Sequence, residues 1–463
     1  MFSRSTIPLL QSYCHMSNRR SHIPSLAVWV VALFITAALG ARPATAVEVK
    51  TVISPGGIQA LLVEDHSNPI IAMRIAFRGG SALDPDDMAG LANLVASTID
   101  EGAGPYDSQA FQRRLEEFSI RLRFNASKDD FRGTLTTLSK NKEEAFRLLR
   151  LALTEPKFDR EPVNRIRSQI QAGLRNESQD PDSIAGKLLF KKLFTSHPYG
   201  NPTNGTEETV SAITLPAMRK FVTQRFARDN LIVGVTGDIS TIDLQSALDQ
   251  IFGALPEKAK SWRIDRAQVD TDGAIHVEDV AVSQSSILFA QSGMERSHDD
   301  FFGAYVLNYI LGGGTFVSRL YNEVREKRGL AYSAYSYLST YDHAALIIGG
   351  AGTANESVSE TIQVVRDQWR DVRDNGVSEE ELRNAKTYLT GSYPLRFSSS
   401  AAIANMLVGI QLENLGADYF DRRNSYVEQV TLGDVNRIAK SLLDPDSLTF
   451  IVAGQPEGIP NVQ

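Results

Sequence analysis

Beyond residue 46 the chain holds five histidines, His66, His197, His276, His298 and His343, and no two of them lie three or four residues apart. Catalytic zinc needs three strong nitrogen, sulfur or carboxylate ligands and an open water position, and a helix supplies two of them from one face only at such spacing. The single cysteine, Cys14, precedes an apolar run, so thiolate ligands and thiol nucleophiles are absent from the expected mature chain. Gly312-Gly313-Gly314 is followed by Thr315 and Phe316 with no lysine, which excludes a phosphate loop and leaves a flexible or close-approach turn. Arg325 stands among Glu323, Glu326, Lys327 and Arg328, and Tyr332 opens a tyrosine-rich stretch with Tyr335, Tyr337 and Tyr341. Taken singly, the first reads as a solvated helix face and the second as sheet packing.

These residues need elements to hold them. Leu91, Leu94, Val95 and Ile99 recur at helical spacing in GLANLVASTIDEGAG, with Thr98 at the seventh step, which predicts an amphipathic helix against a sheet. Two stretches match without a gap at a separation of 217 residues, ITLPAMRKFVTQRFARDNLIVGVTGDI from Ile213 and VTLGDVNRIAKSLLDPDSLTFIVAGQPE from Val430. Each reads as a threonine-capped helix (Thr214, Thr431), a polar turn, and an apolar strand ending at Gly237 or Gly454. Ile71 to Phe77 before the Leu91 helix likewise parallels Ser286 to Gln291 before Phe301 to Leu311. A repeat this long signals duplicated domains. The expectation is an α+β protein of two homologous halves, each a mostly antiparallel sheet with helices on one face, spanning 47–255 and 274–463 and joined by a polar linker at 256–273.

The segment from Gly90 to Gly104 resembles the zinc-binding helix of the M16 (pitrilysin and insulinase) peptidases, which carry His-x-x-Glu-His there. In this chain the two histidine positions fall on Asn93 and Ser97, and the glutamate that would activate water falls on Ala96. The family's third ligand, a glutamate on a later helix, falls in the stretch Gln169 to Glu177, near Leu174, where Glu177 alone offers a carboxylate. Further motifs agree with this resemblance: LGGGTFVSRLYNEVREKRGLAY matches the family's second-half segment, and HPYGNPTNG around His197 is a turn-rich stretch its members share. It covers about Val49 to Pro456 and implies the M16 clamshell, in which the halves face each other across a peptide-holding cavity.

Carried onto this chain, the resemblance makes Arg325 and Tyr332 a pair that reaches an opposing zinc site. There a tyrosine hydroxyl donates to the developing oxyanion and a planar guanidinium holds substrate carbonyls. Gly312, Gly313 and Gly314 would contact the peptide backbone. Neither member of the pair generates hydroxide without a metal, so the implied function is a non-catalytic subunit, inactive alone. It would bind no cofactor itself and lend Arg325 and Tyr332 in trans to a zinc-bearing M16 partner acting on a peptide substrate. Two other readings stand beside it, a peptide-binding or scaffold protein without proteolysis, and a peptidase with unconventional ligands.

Arg19 and Arg20, the apolar run Leu26 to Gly40 and Ala44-Thr45-Ala46 read as a secretory signal over residues 1–46, with Met16 an alternative start. That predicts a periplasmic or secreted protein with no membrane association after cleavage near Ala46. Removing four arginines and no acid leaves 44 basic against 55 acidic residues, a net of -11, which argues against nucleic-acid binding.

Overall fold

A computed structural model describes residues 48–459; the expected signal segment lies outside the described residues. Among the described residues eleven strands form two sheets. The first holds β1 (Lys50–Ile53), β2 (Gln59–Glu64), β3 (Ile70–Arg78), β4 (Arg121–Ala126), β5 (Asp130–Leu138) and β6 (Leu231–Gly237) in the order β1-β2-β6-β3-β5-β4. The second holds β7 (Ile275–Asp279), β8 (Gln284–Ser292), β9 (Ala331–Thr340), β10 (Ala345–Ala354) and β11 (Thr449–Gly454) in the order β7-β11-β8-β10-β9.

With β1 set aside the two orders coincide. Each sheet has one parallel pair, β2 with β6 and β7 with β11, and the remaining neighbours are antiparallel. The chain is α+β in two topologically equivalent halves, and residues 256–273 between them contain neither helix nor strand.

The duplicated helix-to-strand unit forms as its sequence dictates. Thr214 caps the helix Leu215–Arg225 by accepting from the Ala217 amide, and Thr431 caps Leu432–Leu442 by accepting from the Asp434 amide. The strands that follow both end on a glycine with positive φ, 130° at Gly237 and 155° at Gly454. A side chain at Gly237 would place its Cβ 2.0 Å from the Ile70 carbonyl oxygen. Gly237→Ala is therefore expected to lower stability by ~1–3 kcal/mol or more, read as a fall in the urea midpoint. Gly352, exposed in β10 with open space around it, is the control position, where alanine should be nearly neutral.

Strand alternation decides what each sheet face covers. Ile71, Met73, Ile75 and Phe77 of β3 join the first half's own core with Leu91, Leu94 and Val95, while Ile287, Phe289, Phe450 and Val452 do the same in the second half with Trp369. The opposite face of each sheet takes a helix from the other half. Ala185, Leu189 and Leu193 of the helix Pro181–Leu193 pack on Ala290, Leu346, Ile348, Ile451 and Ala453 of the second sheet. Ile403, Leu407 and Ile410 of the helix Ser400–Leu412 pack on Leu61 and Val63 of the first. Small residues allow the close approach: a Cβ at Gly234 of β6 would lie 2.8 Å from both the Ala404 carbonyl oxygen and the Leu407 Cβ. Arg74, buried on this face, donates to the Asn405 side-chain oxygen at 3.1 Å.

Candidate functional site

The first-half candidate is the helix Leu91–Ala96, shorter than its apolar stripe predicts, with turns carrying the chain from Ser97 to Asp100. Gly90 enters it at φ 94°, and the Asp84 carboxylate accepts from the Ala92 amide at 2.9 Å. Asn93 and Ser97 lie one turn apart and half-buried, the Ser97 amide bonding the Asn93 carbonyl at 2.9 Å, and Ala96 is buried between them. The face is built, but its donors are an amide and a hydroxyl, which are weak zinc ligands.

The third-ligand region fits no better. Leu174 is buried in the first core, and the Glu177 carboxylate is held by Lys187 at 2.8 Å and by the Asn204 amide at 3.2 Å. Asp100 is a nearby carboxylate outside the motif positions; burial, together with the adjacent Glu101 charge, pushes its acid up to about 7. Glu101 is itself taken by Arg165 at 2.6 Å. Among the described residues no group of three or more His, Cys, Asp or Glu side chains could hold a metal ion. This donor set does not fit a catalytic zinc.

The second half is arranged around β9, the end strand of its sheet. The helix Phe301–Asn308 passes into a π-helical turn, Tyr309–Gly313, of the kind that often marks functional sites. Asn308 fastens this turn to the strand, donating to the Ser336 carbonyl at 3.1 Å and accepting from the Ser336 hydroxyl at 2.8 Å. Gly312 fits only because it lacks a side chain, since a Cβ would lie 2.6 Å from the Ser336 nitrogen. The glycines are thus a close-approach device at the strand. Gly312 and Gly313 also line the adjoining pocket, whereas Gly314 is buried behind it against the Tyr309 carbonyl and is not part of the lining. Thr315 follows at φ 47°, left-handed for a β-branched residue.

Arg319, next in the motif, is an anchor. It bonds Asp371 at 2.7 Å and Glu381 at 2.6 and 2.9 Å. Burial alone would raise the Glu381 acid, but the Arg319 guanidinium and the Ser378 cap bring it down to about 2. The Ser378–Glu381 capping box therefore also holds the motif.

Arg325 sits in a second π-helical turn, Asn322–Glu326, and Tyr332 begins β9 with 79% of its surface exposed. The solvated ion-pair reading does not describe Arg325. Glu323 is engaged by Lys327 at 2.5 Å and Arg328 at 2.6 Å, while Arg325 donates to the Tyr321 hydroxyl and lies 5.0 Å from its ring centre. Arg325 and Tyr332 line one cavity of about 860 Å³. Its walls carry Tyr309, Tyr335 and Tyr337, and all its lining residues lie between Arg296 and Arg423, so this cavity belongs to the second half rather than to the space between halves. Arg296, Glu413, Tyr419 and Arg423 also reach it; they come from segments with no local signal in the sequence.

The family description "Insulinase (Peptidase family M16)" matches residues 59–207, and "Peptidase M16 inactive domain" matches residues 212–389. The non-peptidase homolog YmxG of Helicobacter pylori is 25% identical over 86% of this chain and 92% of its own length. The uncharacterized zinc protease YmxG of Bacillus subtilis is 22% identical over 88% and 98%. A crystal structure of a peptidase M16 inactive domain from Pseudomonas fluorescens superposes with a TM-score of 0.84 at 28% identity, over 90% of this chain and all of that one. A protease from Helicobacter pylori shares the fold at a TM-score of 0.79 and 17% identity, over 88% of this chain and 99% of its own.

Proposed function

Because the chain belongs to the M16 peptidase family as an inactive-type member, we propose that it is an exported, non-catalytic subunit that supplies Arg325 and Tyr332 to a zinc-bearing M16 partner. The observation that carries this reading is the asymmetry between the halves. The first half keeps the helix and has lost every group needed to hold zinc and activate water, while the second presents Arg325 and Tyr332 together in one open pocket.

The division of work is chemically coherent. A zinc-bound water needs an electrophile held in place and a donor aimed at the oxygen that gains charge. Arg325 has no carboxylate partner among the described residues and can fork onto peptide carbonyls, and the exposed Tyr332 hydroxyl can approach a reacting group brought by another chain. Zinc belongs to the partner in this scheme, and the peptide lies between the two subunits.

The purified chain is expected to retain less than a stoichiometric equivalent of zinc after dialysis and to leave peptides uncut, with chelator having no effect. Metal analysis beside a cleavage assay tests this. One zinc per chain with chelator-sensitive hydrolysis would replace the proposal with a peptidase using other ligands.

A further inference from the structure

The same pocket carries a charge pattern that the paired Arg325 and Tyr332 do not explain. Its lining holds four guanidinium groups, those of Arg296, Arg325, Arg396 and Arg423, against one carboxylate, Glu413, in a chain whose net charge is -7. Glu413 is exposed, and its side chain accepts from the Thr340 hydroxyl at 3.5 Å.

Two of these cations have no carboxylate within ion-pair distance among the described residues, Glu413 acting on Arg296 only from farther away. Arg423 is only 4% exposed; it donates to the Leu389 carbonyl at 2.6 Å, the Asn424 side-chain oxygen at 2.9 Å and the Tyr305 hydroxyl at 3.3 Å, and lies 4.6 Å from the centre of the Tyr393 ring. Arg296 donates to the Tyr419 hydroxyl at 2.9 Å and lies 4.3 Å from the Phe301 ring centre. The Phe301 and Tyr305 rings stack between them, nearly parallel at 11° and 6.5 Å apart. Neither arginine has a carboxylate within ion-pair distance among the described residues. Ring faces and neutral oxygens offset part of the cost of desolvating a cation, and an entering carboxylate would supply the rest through charge-assisted hydrogen bonds.

We propose that this pocket selects acidic peptides, seating a carboxylate side chain near Arg296 and Arg423 and the apolar or aromatic residue beside it against the ring-lined wall. The proposal rests on the reading of the pocket as a peptide site and names its substrate class. A peptide fits better than a simple fatty acid because β9, an end strand, displays Tyr335 and Tyr337 at the period of an extended chain, their rings 6.3 Å apart and nearly parallel.

The test uses the full chain purified without a partner and fluorescence anisotropy with three nine-residue peptides that differ only at two positions flanking a central Phe, carrying Glu, Gln or Lys. The Glu peptide is expected to bind about tenfold or more tightly than the Gln peptide, with the advantage shrinking as salt rises, and the Lys peptide to bind weakest. Arg396→Gln, at an exposed position, and Arg296→Gln should each reduce the Glu-over-Gln ratio to below about threefold while leaving the Gln peptide's affinity nearly unchanged, and Arg396→Gln should also leave the melting temperature nearly unchanged. Equal binding of Glu and Lys peptides, no binding of any peptide, an undiminished ratio in both variants, or decanoate competing as well as the Glu peptide would each overturn the proposal. The outcome is separable from the subunit role. A charge-blind pocket would leave the Tyr332 effect on a partner intact, and a charge-selective pocket would stand even where no zinc-bearing partner is activated.

Discussion

Tyr332→Phe, assembled with a zinc-bearing M16 partner, is expected to reduce turnover on the order of 100-fold, the cost of removing one donor to a developing oxyanion. The substitution deletes a single hydroxyl from a side chain that is 79% exposed and that makes no protein hydrogen bond among the described residues. The melting temperature and the stoichiometry of the complex should therefore be unchanged. Arg325→Ala is expected to behave differently, because a guanidinium that holds peptide carbonyls acts in the ground state as well as the transition state. Its effect should appear in both KM and kcat. Steady-state kinetics on complexes of verified composition decide the matter. Wild-type rates from both variants would make the pair structural and leave a peptide-binding scaffold as the better account.

The largest stability effect is expected at Arg225. Its guanidinium is nearly buried, bonding the Asp84 carboxylate at 3.1 Å, the Gly80 carbonyl at 2.9 Å and the Leu83 carbonyl at 2.6 Å, with its centre 4.2 Å from the Phe221 ring. Asp84 in turn holds the amide of Ala92 and so fixes the start of the helix that carries Asn93 and Ser97. Burial raises the Asp84 acid despite the neighbouring arginine, and burial lowers Arg225. Both groups are thus costly to hold charged in this buried place, and each needs the other. Removing one partner leaves the other uncompensated, and Arg225→Ala should cost ~3–5 kcal/mol. The double variant Arg225→Met with Asp84→Leu should recover a substantial part of that loss. Chemical denaturation of the wild type, Arg225→Met, Asp84→Leu and the double variant tests the coupling, and additive effects would show that the two side chains act independently.

The features legible in the sequence were those encoded locally. Asn93, Ala96 and Ser97 could be placed because the apolar stripe around them fixes the helix register, and the duplicated units starting at Ile213 and Val430 could be aligned because cap, turn and strand-ending glycine recur without a gap. The glycines at 312–314 were readable as a close-approach turn, but not the reason for it, since Ser336 lies on β9, beyond the turn Asn322–Glu326. The helix Phe301–Leu311 was expected as one α-helix; its last turn widens because Asn308 and Gly312 both fit against β9. Of the pocket's four cations only Arg325 carried a signal in the sequence; Arg296, Arg396 and Arg423 did not. Arg296 and Arg423 are 127 residues apart in the chain, and the Phe301 and Tyr305 rings between them lie on the helix that follows Arg296. Nor could apolar periodicity say that the helices Pro181–Leu193 and Ser400–Leu412 would each cover the other half's sheet.

That exchange bears on what the chain can do as a physical object. Each half, produced alone, would bare an apolar sheet face and an apolar helix with nothing to receive it, so the halves should fold only in each other's presence. Severing the backbone within 256–273 should leave two fragments that stay associated. The fold is that of a helix-swapped dimer whose two copies have been tethered head to tail. Such an interlock cannot gape without unthreading two cores at once.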